Sequence, residues 1–368
     1  MPAQGSPLDT MARLRAEFAH HGVLLLITLT YCIVVTAYLS THGLLSLPLF
    51  NEYLIAMAIP VAALAAFRVF GETTHQALHV RPFRLTGLWQ GIRHSEIFSG
   101  ERIAAAAIPI LMLPLFSSVF TSFKVSIPVL APFSWDPALA HFDQVLHGGV
   151  HPWELLQPLL GHPLVTSAIS YLYNLWQGLL LVVYWQMFRL GERALRMRFL
   201  LAFVLAWVVL GSGGAYFFSS AGPCYYGAVV DGANPYADQM SYLLAAHEDY
   251  RNWAIIAQDY LWRLYVNGNA HLGGGISAMP SLHLSVAVLV FLLARAYGRR
   301  MAWLAGAYVI VTLVGSVHLG WHYAVDGYVG IAGGLVAWIV AGWLVRRVVP
   351  PAPERAPESA PERAPERA

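Results

Sequence analysis

Of the 368 residues, 57% are hydrophobic and only 11% charged, and the mean hydropathy is +0.55, which excludes an ordinary soluble domain and reads as an integral membrane protein. A net charge of +2, with the arginines dispersed along the chain, supplies no basic patch and argues against nucleic acid as a partner. Two cysteines, Cys32 in an apolar run and Cys224 in a loop, point to neither a disulfide framework nor a thiolate metal centre.

In chain order, residues 8–20, with Arg13, Arg15 and Glu17 among apolar positions, read as a short amphipathic helix on the membrane surface. Apolar runs long enough to cross about 30 Å of hydrocarbon then predict eight spans, near 22–40, 51–70, 102–120, 164–187, 199–218, 279–296, 301–319 and 324–345. The first carries no convincing cleavage site and is expected to stay as a helix. Residues 121–163 mix apolar positions with Trp135, Asp136, His141, Asp143, His147, His151 and Trp153, which predicts interfacial helices. Residues 219–277 form the largest loop, with helix-like segments around 237–249 and 252–266 and a Gly273-Gly274-Gly275 hinge; a long ordered loop of this kind can act as a lid. From Pro350 to Ala368 a Pro-Glu-Arg-Ala repeat predicts a disordered tail. The expected fold is an all-α, polytopic helix bundle: an N-terminal region over 1–100 with two spans, a six-helix core over 101–349, and the tail over 350–368.

Counting Lys and Arg by loop places 19 of the 22 on one side and only Lys124, Arg251 and Arg263 on the other. The positive-inside rule makes the arginine-rich side cytoplasmic. Both termini are then cytoplasmic, in a multi-pass protein of the inner or plasma membrane, and two histidine motifs fall together on the extracytoplasmic face.

Those motifs are Met279-Pro280-Ser281-Leu282-His283 and His318-Leu319-Gly320-Trp321-His322-Tyr323-Ala324-Val325-Asp326. Pro280 suits the first turn of a helix, whose free N–H groups and dipole favour an anion such as phosphate. Ser281 adds a hydroxyl donor, and His283 is placed to protonate a leaving oxygen. His322 and Asp326 are four apart, so on a helix the carboxylate would hold one ring nitrogen protonated and leave the other free to attack phosphorus. A lone His-x-x-x-Asp arises by chance about a third of a time in such a composition, so its weight comes from three ionisable groups meeting at span ends. A rival reading makes His318, His322 and Asp326, at i, i+4 and i+8, a metal site with His283 as a fourth ligand. The remaining outer histidines, among them His141, His147, His247 and His271, read as ordinary interfacial residues.

These residues also carry a likeness. Ala278-Met279-Pro280-Ser281-Leu282-His283 and Gly320-Trp321-His322-Tyr323-Ala324-Val325-Asp326 resemble the motifs of the type 2 phosphatidic acid phosphatase superfamily, within it the branch of inositol phosphorylceramide and sphingomyelin synthases, over roughly residues 105–345. The resemblance implies a six-helix core with His322 as nucleophile, Asp326 as its orienting partner and His283 as general acid. The departures are specific. The family's phosphatases have Ser-Gly-His where this chain has Ser281-Leu282-His283, Ser-Arg where it has Gly315-Ser316, and a Lys-x6-Arg-Pro motif, whereas the only Arg-Pro here, Arg81-Pro82, is cytoplasmic. Ser219-Ser220-Ala221-Gly222-Pro223-Cys224 resembles instead the first motif of the synthase branch. That leaves Arg251, Arg263, Lys124 and His318 as the outer basic groups able to meet a phosphate.

The function expected is a lipid phosphotransferase that moves inositol phosphate or a related head group from a phospholipid donor to a lipid alcohol through a phosphohistidine. His283, His322 and Asp326 would be catalytic, and Ser281, Pro280, Gly222, Pro223, His318, Arg251 and Arg263 would bind substrate, with no metal or other cofactor. The alternatives are a hydrolase of phosphatidate or a polyprenyl diphosphate, with water as acceptor, and a non-catalytic transporter or lipid-binding protein. The absence of a half-chain repeat and the position of the motifs away from mid-membrane argue against transport.

Overall fold

The structure, a computed structural model, describes residues 21–44, 49–79, 86, 100–187 and 193–348. The predicted surface helix over 8–20, the Arg81-Pro82 pair and the repeat over 350–368 lie outside the described residues. All regular structure among the described residues is helical: α1 (Gly22–Thr41), α2 (Leu49–His79), α3 (Gly100–Leu130), α4 (Asp136–Leu146), α5 (Pro152–Leu160), α6 (Pro163–Asn174), α7 (Trp176–Met187), α8 (Arg193–Ala206), α9 (Ala237–Asp249), α10 (Trp253–Val266), α11 (Leu282–Ala294), α12 (Arg299–His318) and α13 (Ala324–Val348), besides shorter turns.

Five stretches are long and apolar enough to cross a membrane: Gly22–Thr41, Ala107–Leu130, Arg193–Phe217, Arg299–His318 and Ala324–Arg347. Two shorter apolar helices, Leu49–Pro60 and Leu282–Tyr297, accompany them. This is an integral membrane protein, and its outer shell fits lipid: Leu26, Ile33, Trp303 and Ile310 are all more than half exposed. The run expected over 164–187 is not one continuous span. Leu175 interrupts it between α6 and α7, and the Gly178 N–H turns back onto the Leu175 carbonyl, in a stretch where Asn174 and Gly178 are weak interior helix formers. The segments expected around 237–249 and 252–266 are α9 and α10, and α4 and α5 lie where interfacial helices were expected.

One apolar cluster joins α1, α3, α8, α11 and α13 through Leu24, Phe116, Phe120, Phe199, Leu289 and Ala341, so the N-terminal helices share the core of the rest. Lipid tails are as apolar as leucine, so association of such helices depends on close packing and hydrogen bonds rather than on escape from water. Tyr31 on α1 accordingly pairs with Ser212 at 2.8 Å, inside a π-helical stretch, Trp207–Gly214, that continues α8. The tightest approach is between α11 and α13. A Cβ at Gly330 would lie 2.3 Å from the Ser281 carbonyl oxygen, and the Ser285 hydroxyl donates to the Gly330 carbonyl at 2.6 Å. Only glycine lets the start of α11 lie against α13, and both histidine motifs sit at that junction.

Candidate active site

Three loops from distant parts of the sequence are stitched together by main-chain hydrogen bonds. The Ala278 N–H donates to the Ser220 carbonyl (2.9 Å) and the Met279 N–H to the Ser220 hydroxyl (3.1 Å). The Cys224 N–H donates to the Gly320 carbonyl (2.8 Å), and the Ser281 N–H to the Asp326 carbonyl (3.1 Å). Every loop is thus tied to at least one of the others, and His322 lies where they meet.

The geometry at His322 fixes the proton on one ring nitrogen. Nδ1 is 2.9 Å from the Ala278 carbonyl oxygen, which can only accept, so Nδ1 carries a proton, and in the neutral ring the lone pair is on Nε2. Asp326 Oδ2 is also near Nδ1, at 3.4 Å, a long contact compared with that to Ala278. The predicted helical pairing of His322 and Asp326 differs from what is observed, because α13 begins only at Ala324. Asp326 sits in its first turn, where Oδ2 accepts the Tyr323 N–H at 3.0 Å, as the acidic residue of a capping box does. The carboxylate is fully buried behind the ring, and its Oδ1 has no hydrogen-bond partner among the described residues.

Nε2 is 3.3 Å from the Ser281 hydroxyl. Pro280 and Ser281 were both expected in the first turn of the helix, but α11 begins at Leu282 with Ser281 as its N-cap, so both lie just before that turn. The serine hydroxyl makes no capping bond to that turn. His283, within the turn, packs edge-on against Trp176 (ring centroids 4.5 Å apart), beside Tyr173, and 5.8 Å from the His322 ring. Trp176 is the first residue of α7, directly after the break at Leu175.

Both imidazoles open into one cavity of about 80 Å³, with room for several waters or a small anion. Leu261, Ile276, Leu282, Trp321 and Tyr225 give it mostly apolar walls, and Lys124, Ser277, Pro280, His283 and His322 are also in the lining. Helix α10 covers it, held by the Gln258 amide on the Leu319 carbonyl (2.9 Å), by the Tyr225 hydroxyl on the Gln258 carbonyl (2.9 Å) and by the Tyr225–Trp262 ring stack.

A profile of the PAP2 superfamily matches residues 137–342, more than half of the chain. The chain belongs to the PAP2 superfamily. No curated protein and no solved structure matches it. PAP2 superfamily membership brings lipid phosphate chemistry of the phosphatase or phosphotransferase kind.

The PAP2-matched segment contains all three stitched loops, but α3, which carries Lys124, precedes it. Of the other residues predicted to bind substrate, Pro280 lines the cavity and Ser281 touches His322 Nε2. Gly222 gives its N–H to Asp136, and Pro223 lines a second, water-sized space behind His322. The structure does not bring Arg251, Arg263 or His318 into the cavity lining. Arg251 is exposed and stacks over Trp253, and Arg263 is exposed and paired with Asp259 at 2.9 Å. His318 is buried with its Nε2 2.9 Å from the Thr166 hydroxyl. It ends α12 while Asp326 lies in α13, so the single helical face required by the metal reading is not formed. Among the described residues no group of three His, Cys, Asp or Glu is placed to hold a metal ion.

Sequence reading missed two residues on α4. Asp136 accepts the Ala221 and Gly222 N–H groups, both at 2.8 Å, and the Tyr323 hydroxyl at 2.8 Å. Asp143 accepts the N–H groups of Ala324 (2.7 Å) and Val325 (2.9 Å), the free donors at the start of α13. Expected at the membrane surface, both are almost wholly buried. Burial pushes both carboxyls up from the ordinary range, against the backbone N–H bonds that pull them down. Two aspartates seven apart on one short helix, hence on one face, were the signal available.

Proposed function

We propose that this protein is a membrane-embedded lipid phosphotransferase working through a phosphohistidine at His322. The observation that carries the reading is the placement of His322, with Nδ1–H bound to the Ala278 carbonyl and Nε2 turned toward the Ser281 hydroxyl, beside a second imidazole in the same cavity. In the first step Nε2 forms a bond to phosphorus as the bond from phosphorus to the leaving oxygen breaks, and protonated His283 gives that oxygen its proton. In the second, neutral His283 takes the proton of the acceptor hydroxyl, whose oxygen bonds to phosphorus as the N–P bond breaks. Asp326, whose Oδ2 lies 3.4 Å from Nδ1, offsets the positive charge on the phosphorylated ring.

The branch resembled by the Gly222-Pro223 and Ser281-Leu282-His283 motifs, together with the cover formed by α10, favours transfer to a lipid alcohol such as ceramide or diacylglycerol over hydrolysis. The donor is a phospholipid carrying inositol phosphate or a related head group. The arginine distribution supports the extracytoplasmic face as the side of this chemistry.

A panel of head-group-labelled phospholipids, given to the purified protein with and without ceramide or diacylglycerol, tests the reading. Transferred head group that appears only with the lipid alcohol supports it, and release of free phosphate or head group unaffected by the alcohol makes the protein a hydrolase. Activity should survive EDTA. Loss in EDTA with recovery in zinc would replace the imidazole nucleophile by a metal-bound one.

A further inference from the structure

The cavity contains one side chain that the proposed steps leave without a task. Lys124 lines it together with both imidazoles, and it is the only lysine, arginine, aspartate or glutamate among the lining residues. It makes no ion pair or side-chain hydrogen bond among the described residues. An ammonium group facing an apolar-walled space inside a membrane protein is costly unless an anion meets it. Asp326 is not that anion, because it stands behind His322 and outside the lining.

The position of Lys124 is built. The last glycine of the predicted hinge, Gly275, has φ +91°, and a Cβ there would lie 2.9 Å from the Lys124 Cγ and 3.0 Å from its carbonyl carbon. Two residues earlier the Gly273 N–H donates to the Tyr53 hydroxyl of α2 at 3.2 Å. The loop that leads into Ser281 and His283 is therefore laid directly on α2 and α3, and both helices lie before the PAP2-matched segment.

We infer that Lys124 is the cation that binds the phosphoryl group in this cavity, so that a helix outside the PAP2-matched segment completes the site. Arg251 and Arg263, the other two basic side chains expected on this face, are exposed elsewhere and cannot do so without rearrangement. Leu282 and His283 of the first turn of α11 line the same space, and the Ser281 side chain leaves that turn uncapped, so its N–H groups can serve as further donors to the anion. This inference rests on the phosphotransfer reading for its substrate, but anion binding is measurable without turnover.

The test uses the full chain in detergent, with inorganic phosphate titrated against chloride at matched ionic strength and thermal stabilisation as the readout. Phosphate should stabilise the wild type saturably, and Lys124→Met, folded by gel filtration, should bind it about 10- to 100-fold more weakly, the loss expected for one charge-assisted contact. Lys124→Arg should keep most of the affinity, and Lys124→Gln replaces the methionine variant if that does not fold. A wild type that does not bind phosphate, or Lys124→Met binding it as the wild type does, overturns the inference. Phosphate binding that depends on Lys124 in a protein that never labels His322 keeps this inference and removes the phosphotransfer reading. Labelling of His322 with phosphate affinity untouched in Lys124→Met does the reverse.

Discussion

At the scale of single residues, the proposed chemistry depends on which nitrogen of His322 carries the proton. The Ala278 carbonyl decides it, and the consequence is measurable: rapid quench with substrate labelled at phosphorus should trap acid-labile, base-stable label on the wild type and none on His322→Ala. His283→Ala should lower turnover about 10²- to 10⁴-fold, the usual span for a general acid–base. His318→Ala should change turnover little, because that ring bonds to Thr166 and lines no part of the cavity; a complete loss with the fold intact would restore it to the site. Asp143 acts at one remove. It holds the N–H groups of Ala324 and Val325, two and three residues beyond His322, and Asp143→Ala leaves both buried and unpaired at about 1–3 kcal/mol each. The expected outcome is a lower melting temperature together with slower turnover at nearly unchanged KM. An unchanged melting temperature would show that the carboxylate is not the cap described.

Among the helices, α11 and α13 act as a pair, and the contact at Gly330 sets their separation. Gly330→Val forces a branched side chain against the Ser281 carbonyl, an overpacking that costs about 1–3 kcal/mol or more and moves Ser281 away from His322. Stability and turnover should fall together, as circular dichroism melts and head-group transfer would record. A variant of wild-type stability and activity would mean that the helices can separate freely. The break between α6 and α7 is a second case, since a continuous helix through 164–187 satisfies the hydropathy of this run. Directly after the break, Trp176 packs edge-on to His283, a contact that hydropathy cannot specify.

For the molecule as a whole, the basic residues predict an extracytoplasmic site with cytoplasmic termini. Single cysteines, Ala270→Cys and Ala356→Cys, placed in a protein lacking Cys32 and Cys224 and treated on intact cells with an impermeant thiol reagent, test it directly. Label at position 270 and protection at 356 are expected. The opposite pattern would move the chemistry to the inner leaflet. The same scale shows that the N-terminal helices are not a detachable region. They share the apolar core, pair Tyr31 with Ser212, and hold the loop before His283 through Tyr53.

Composition and hydropathy by themselves determined an all-helical membrane protein, because in hydrocarbon a helix satisfies its own backbone and its apolar length can be read from the chain. The local motifs likewise placed His283, His322 and Asp326 as candidates, since their spacing is a property of the chain. Only the tertiary structure decided what each of them touches. Nothing in the order of residues announces that the Ala278 carbonyl lies on His322, that Asp136 and Asp143 on one short helix tie down two of the three motif loops, or that Lys124 faces the cavity while Arg251 and Arg263 do not. Those are contacts between residues tens to nearly two hundred positions apart. They arise where close-packed helices bring buried polar groups together, and each such group takes whichever partner the packing provides.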